Sequence, residues 1–267
     1  MKACIILFGE AFRLGNQHTR NTGAKESYHE QMKASHSHMK FIHDAHLDAD
    51  VYISSYSTKF DNDLLQVYHH VHPIFHPSLI GQVALIQKAI HSIPNLNVYD
   101  FVLILRIDLF LKPYFTTNFT PWNTIRWPSI CFKPYHKTGS GHPRVNDTML
   151  YVPKKYFPYL DTIYQTEDTH AQWEYLLQHS PLTYEDLDTM VPTYHDSDSN
   201  KDNNPLYYIV NRPESSIHHN KGHVFRKYHF KPNLSWYIVR ILFFLGIFLI
   251  LFFIYLWTSQ RYIRKRR

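Results

Sequence analysis

Alternation between short apolar runs and helix-patterned stretches is the feature that most constrains the fold of this 267-residue chain. Cys4 to Phe8 is strand-like, and so are residues 49–56 (ADVYISSY), with Val51, Tyr52 and Ile53 at their centre, and residues 101–107 (FVLILRI). Between them, residues 25–47 have helical composition without Gly or Pro, and DNDLLQVYHHV reads as a short helix with Asp61 or Asn62 at its cap. HPIFHP is a brief extended piece. Residues 78–93 place apolar side chains at 79, 80, 83, 86, 90 and 93, which is helical spacing. Strands that alternate with helices imply crossover units and a mostly parallel sheet flanked by helices. Ligands of such sheets bind outside the carboxyl ends of the strands. Arg106 and Asp108 stand where the apolar run of the third strand ends, beside that region.

The second half is less regular. A short strand at 129 leads into a Gly-bearing basic loop that ends at Asp147, then a strand and the start of a helix over 148–157, and a helix over 166–180. A polar loop follows at 194–205, with a last strand over 206–210. There are no internal repeats.

The C-terminal end does not belong to this core. Ile241 to Trp257 is 17 residues without a charge, and with the residues just before it the stretch becomes a transmembrane helix over 236–257, near the roughly 20 residues a bilayer needs. Arg240 can snorkel to the interface, and Trp236, Tyr237, Tyr255 and Trp257 sit where an aromatic belt would. At the other end, the apolar stretch ACIILFG is short and is followed at once by Glu10 and Arg13, so it fits a first buried strand better than a signal peptide. The expectation is a single-pass, C-terminally anchored protein with its main domain on the cytosolic side.

The net charge of +6 comes from the anchor. Arg240, Arg261, Arg264, Lys265, Arg266 and Arg267 supply six positive charges, and the remainder balances at 22 basic and 22 acidic residues. The high isoelectric point therefore argues for lipid headgroups near the tail and against a nucleic-acid partner, which requires a basic face on the domain itself. Cys4 and Cys131 lie in apolar runs and read as core. Asn118, Asn146 and Asn233 head glycosylation sequons, which matter only in a lumenal domain. The 20 histidines read as a compositional habit rather than a metal site.

The run YDFVLILRIDLFL, a loop ending in ND, and TMLYVPKKYF, in that order, resemble GT-A-type nucleotide-sugar glycosyltransferases, in a variant with Arg-x-Asp in place of Asp-x-Asp. The resemblance covers roughly residues 3–212. It implies a Rossmann-like α/β domain over 1–212; composition adds a basic irregular connector over 213–235, the transmembrane helix over 236–257 and a short basic tail over 258–267. It also implies transfer of a sugar from a nucleotide-sugar donor to a glycan, lipid or protein acceptor. The departing diphosphate needs a divalent cation, Mn²⁺ or Mg²⁺, or fixed positive groups.

By resemblance Asp108 is a metal or ribose contact. Arg106, where many relatives carry Asp, can itself hold the diphosphate bidentately. The loop after the first strand would hold the nucleotide through Gly9, Arg13 and Arg20; it is not a P-loop, because GxxxxGK[ST] is absent. Asp147 is a candidate acceptor-side base, and His195 or Asp198 would complete a metal site. Plainer readings stand beside each of these: a strand-end salt bridge for Arg106 and Asp108, a basic surface loop for 7–21, a turn aspartate for Asp147, and a solvated turn cluster for 194–202. The alternative function is a non-catalytic membrane-anchored binding or scaffold protein on a degenerate transferase fold.

Overall fold

A computed structural model describes residues 1–15, 21–130, 145–166, 168–191 and 204–210. The chain divides into two units, Met1–Val224 and Phe225–Arg267. The second unit, which contains the expected transmembrane helix, lies outside the described residues. Among the described residues no helix is long and apolar enough to cross a membrane.

The first unit is built on a seven-stranded sheet. In chain order its strands are β1 (Lys2–Gly9), β4 (Asp48–Tyr56), β5 (Val71–His76), β6 (Phe101–Arg106), β8 (Ile125–Trp127), β9 (Met149–Pro153) and β10 (Leu187–Thr189). Their order across the sheet is β10-β8-β9-β6-β1-β4-β5. All run parallel except β9, which is antiparallel to β6 and β8. Two small antiparallel ribbons lie outside it: β2 (Arg13–Leu14) with β3 (Asn21–Thr22), and β7 (Leu109–Leu111) with β11 (Tyr207–Ile209). The helices are α1 (Tyr28–Asp44), α2 (Asp61–Val67), α3 (Gln82–Ser92), α4 (Pro113–Asn118), α5 (Leu160–Ile163) and α6 (Gln172–His179).

The continuous apolar runs follow from burial on both faces, as parallel sheets require. Along β1, Cys4, Ile6 and Phe8 pack on one side with α3, α5 and α6, while Ala3, Ile5 and Leu7 pack on the other with α1 and α2. The same alternation places Val102 and Ile104 with the first cluster, and Phe101, Leu103 and Leu105 with the second. Each such Leu, Ile or Phe contributes about 1.5–3 kcal/mol by leaving water. Burial also pushes the Cys4 thiol up, so Cys4 is a core apolar residue, as its run suggests; Cys131 lies outside the described residues.

The chain departs from its sequence reading in several places. HPIFHP is extended, as read: residues 72–76 lie in β5, which forms an edge of the main sheet. Within residues 206–210 the strand β11 covers Tyr207–Ile209, and it pairs with β7 and not with the main sheet. Asp61 does not cap α2; it is the first helical residue, and its Oδ1 accepts both the Thr58 N–H and the Thr58 hydroxyl. Three strands of three residues each, β7, β8 and β10, carry no run long enough to be read from sequence.

Candidate active site

The strand order places one point of the sheet apart from the rest. From β1 the chain proceeds outward through β4 and β5, then returns to the other side of β1 as β6. A crevice opens outside the carboxyl ends of strands wherever the order reverses in this way. Phe8 and Arg106 are register partners at that point, so Glu10 and Asp108 each stand two residues beyond the same pair. The backbone is held there by the Ile107 N–H donating to the Phe8 carbonyl at 2.8 Å, and by the Arg106 N–H donating to the Thr148 carbonyl at 3.0 Å.

Two charged pairs line this mouth. Arg106 donates from Nε to Asp108 Oδ1 at 2.9 Å and from its terminal nitrogen to Oδ2 at 2.6 Å, a bidentate fork on a carboxylate that is 4% exposed. Burial works against the guanidinium charge. The charge and hydrogen bonds of Asp108, with Asp147 and Glu10 as further negative neighbours, more than offset that and hold Arg106 above its ordinary value. On the loop after β1, Arg13 Nε lies 3.3 Å from Glu10 Oε2, both side chains being buried. Gly9 precedes this pair with φ of 113°, and a Cβ built on it meets no atom within 4 Å among the described residues. Phe12, within the loop, has φ of 52°. A bulky side chain rarely adopts that left-handed backbone, which costs on the order of 1–3 kcal/mol and persists only where the surroundings over-determine it.

Asp147 is held differently. Its Oδ2 accepts the Thr169 hydroxyl at 2.5 Å and the Gln82 side-chain amide at 3.3 Å, and lies 3.9 Å from His170 Nε2. No hydrogen bond reaches Oδ1 among the described residues. His170 Nδ1 donates to the Val145 carbonyl at 2.8 Å, because a carbonyl can only accept. The neighbours of Asp147 are locked: the Asn146 side chain donates to the Tyr207 hydroxyl at 3.0 Å and accepts the N–H and hydroxyl of Thr148 at 3.1 and 2.9 Å. Asn146 is therefore buried and hydrogen-bonded through both its amide oxygen and its amide nitrogen, which removes the central sequon from use as a glycan acceptor in the folded protein.

Gly9, Arg13, Arg106, Asp108 and Asp147 thus converge on one mouth. Arg20, His195 and Asp198 lie outside the described residues. Gln82, Thr169 and His170 were not anticipated; they come from α3 and from the turn before α6, and no local pattern marks them. The described residues do not fit a divalent cation. Both oxygens of Asp108 face a guanidinium, and among the described residues no group of three or more His, Cys, Asp or Glu side chains is placed to hold an ion. The cationic side chains at this mouth are Arg106 and Arg13, each paired with a carboxylate.

No protein-family model matches the chain, and no curated protein matches it in sequence. Some solved structures are similar to it in part of their chain path. A Drosophila β1,4-galactosyltransferase 7 mutant, in a complex with manganese, UDP-Gal and xylobiose, is 10% identical with a TM-score of 0.43, over 86% of this chain and 77% of that one. The 4-diphosphocytidyl-2C-methyl-D-erythritol synthase of Anaerococcus prevotii is 11% identical with a TM-score of 0.40, over 71% and 87%. A glycosyltransferase involved in glycosylation of the major capsid of PBCV-1 is 13% identical with a TM-score of 0.38, over 74% and 83%. Similarity at this level leaves function to be read from the residues themselves.

Proposed function

We propose that the chain is a membrane-anchored, glycosyltransferase-like protein that takes a nucleotide-sugar donor at the β1/β6 mouth and passes the sugar to a glycan, lipid or protein acceptor. The observation that carries this reading is the convergence of two guanidiniums and a one-sidedly anchored carboxylate at the switch point of a doubly wound sheet. Arg106 and Arg13 supply positive charge for the diphosphate that departs with the electron pair of the broken glycosidic bond. Asp147 accepts the proton of the acceptor hydroxyl as its oxygen bonds to the sugar, through the Oδ1 that no described residue engages. Gly9, with no side chain, suits a close approach of the nucleotide to backbone. Anchoring rests on the apolar stretch 236–257, with the basic tail against lipid headgroups and the main domain on the cytosolic side.

In this reading a divalent cation at Asp108 requires Arg106 to release the carboxylate, with His195 or Asp198 as further ligands. The internal Arg106–Asp108 fork also favours a second reading, a non-catalytic binding protein whose ancestral site is closed by its own salt bridge. Thermal melting of the detergent-solubilised full chain separates the two. A panel of UDP-, GDP- and CMP-sugars, with and without Mn²⁺, raises the melting temperature for one base class if the mouth binds a donor. No rise with any nucleotide leaves the binding-protein reading. A rise that needs Mn²⁺ shows that the fork opens to a cation.

A further inference from the structure

A single buried carboxamide joins the two loops that carry the charged pairs of the mouth. Gln31 lies on α1 and is fully buried. Its Oε1 accepts the Phe12 N–H at 3.2 Å, and its Nε2 donates to the Ile107 carbonyl at 2.8 Å. Phe12 stands between Glu10 and Arg13, and Ile107 between Arg106 and Asp108. The amide can sit only one way round, because an N–H requires an acceptor and a carbonyl requires a donor. An apolar side chain here would fill the space but would take this partner from two buried backbone groups.

The left-handed Phe12 is fixed from three further directions. Its carbonyl accepts the N–H groups of Gly23 and Ala24 at 2.9 and 3.1 Å, and its ring packs on Tyr28 and Phe60 with centroids 5.6 and 5.0 Å away. The preceding N–H, of Ala11, donates to the buried Ser55 hydroxyl at 3.3 Å. A strained residue held on every side next to a candidate site is the pattern expected of a preorganised loop.

We infer that Gln31 is a positioning residue of the proposed donor site: it sets the spacing between the Glu10–Arg13 loop and the Arg106–Asp108 turn, and so the spacing of the two guanidiniums that would meet a diphosphate. The inference rests on the nucleotide-sugar reading given above. Its test uses the detergent-solubilised full chain in two variants. Gln31→Met keeps the volume and loses both bonds. Gln31→Glu keeps the acceptor for Phe12 and, while ionised, loses the donor for Ile107.

The expected result for Gln31→Met is a cooperative melt, at least tenfold weaker binding of the nucleotide that wild type takes, and at least tenfold faster amide exchange over residues 10–13 and 107–109. In Gln31→Glu, the ratio of its Kd to that of wild type falls toward one as pH is lowered, because the protonated carboxyl donates again. A side chain that merely fills the core gives no such pH-dependent rescue. Equal affinity in Gln31→Met and wild type, or a ratio in Gln31→Glu that stays well above one at every pH, overturns the inference and leaves the donor site standing. Failure of wild type to bind any nucleotide overturns the donor reading instead. Hydrogen exchange in the free protein then decides the clamp, and unchanged exchange over both segments overturns it.

Discussion

Asp108 and Asp147 stand at the same mouth and are opposite in kind. Asp108 gives both oxygens to Arg106 and is all but sealed from solvent. Asp147 gives one oxygen to Gln82 and Thr169 and keeps the other clear of hydrogen bonds among the described residues. A buried carboxylate with a complete partner serves chiefly to keep that partner charged and in place. A carboxylate anchored through one oxygen is oriented and still able to accept a proton. The difference fits the proposed roles, Asp108 holding Arg106 and Asp147 meeting the acceptor, although the sequence presents both as aspartates near a strand.

The largest effect that can break this comparison is on stability. Asp108→Ala leaves a buried guanidinium without its carboxylate and costs about 3–5 kcal/mol. Arg106→Met combined with Asp108→Leu removes both charges and recovers most of that loss, because well-packed apolar replacements of a buried pair are often neutral. Chemical denaturation of the two variants checks this, and equal destabilisation would mean that the fork is not an isolated pair.

A second effect comes from the rear of the same turn. The buried His38 donates from Nε2 to the Leu109 carbonyl at 2.7 Å and accepts from the Tyr68 hydroxyl at 2.9 Å. Burial pushes its pKa down to about 4, against the Leu109 hydrogen bond and the Asp108 charge, which act to raise it. As pH falls, the unfolded chain takes up this proton first, near 6.5. Stability from this group is therefore complete above about pH 6.5 and declines to about pH 4, by roughly 3 kcal/mol in all. His38→Gln flattens that part of the stability–pH curve, which denaturation at stepped pH would reveal.

The smallest stability effect is expected at Asp147, where the comparison is sharpest. Asp147→Asn keeps the shape of the anchored side chain and changes stability by no more than about 1 kcal/mol, in the range of a single hydrogen bond. It lowers sugar transfer by roughly 10²–10⁴-fold if Asp147 is the base. A large loss of stability with unaltered transfer would reverse the roles of the two aspartates.

The sequence shows these regions unequally, for physical reasons. β1, β4 and β6 are legible because covering both faces demands unbroken apolar runs, and Arg106 and Asp108 stand out as charges at the end of such a run. β8 and β10 are invisible because three residues, one of them Arg126 or Asp188, give no period to read. The reversed direction of β9 leaves no mark in its composition, since MLYVP is buried in either direction. Gln82, Thr169 and His170 meet Asp147 from distant parts of the chain, so only the fold brings them together. Gln31 is equally hidden, as a polar residue on the buried face of a helix whose partners are backbone atoms.

The most direct test of the account is a binding titration of the nucleotide identified by the melting panel against wild type and the Arg106→Met, Asp108→Leu double variant. The denaturation curve of that variant, expected to stay close to wild type, separates lost affinity from lost structure. The account predicts binding to wild type and at least a tenfold loss in the double variant, because Arg106 meets the diphosphate. Equal affinity in both proteins would contradict it and place the nucleotide elsewhere on the chain.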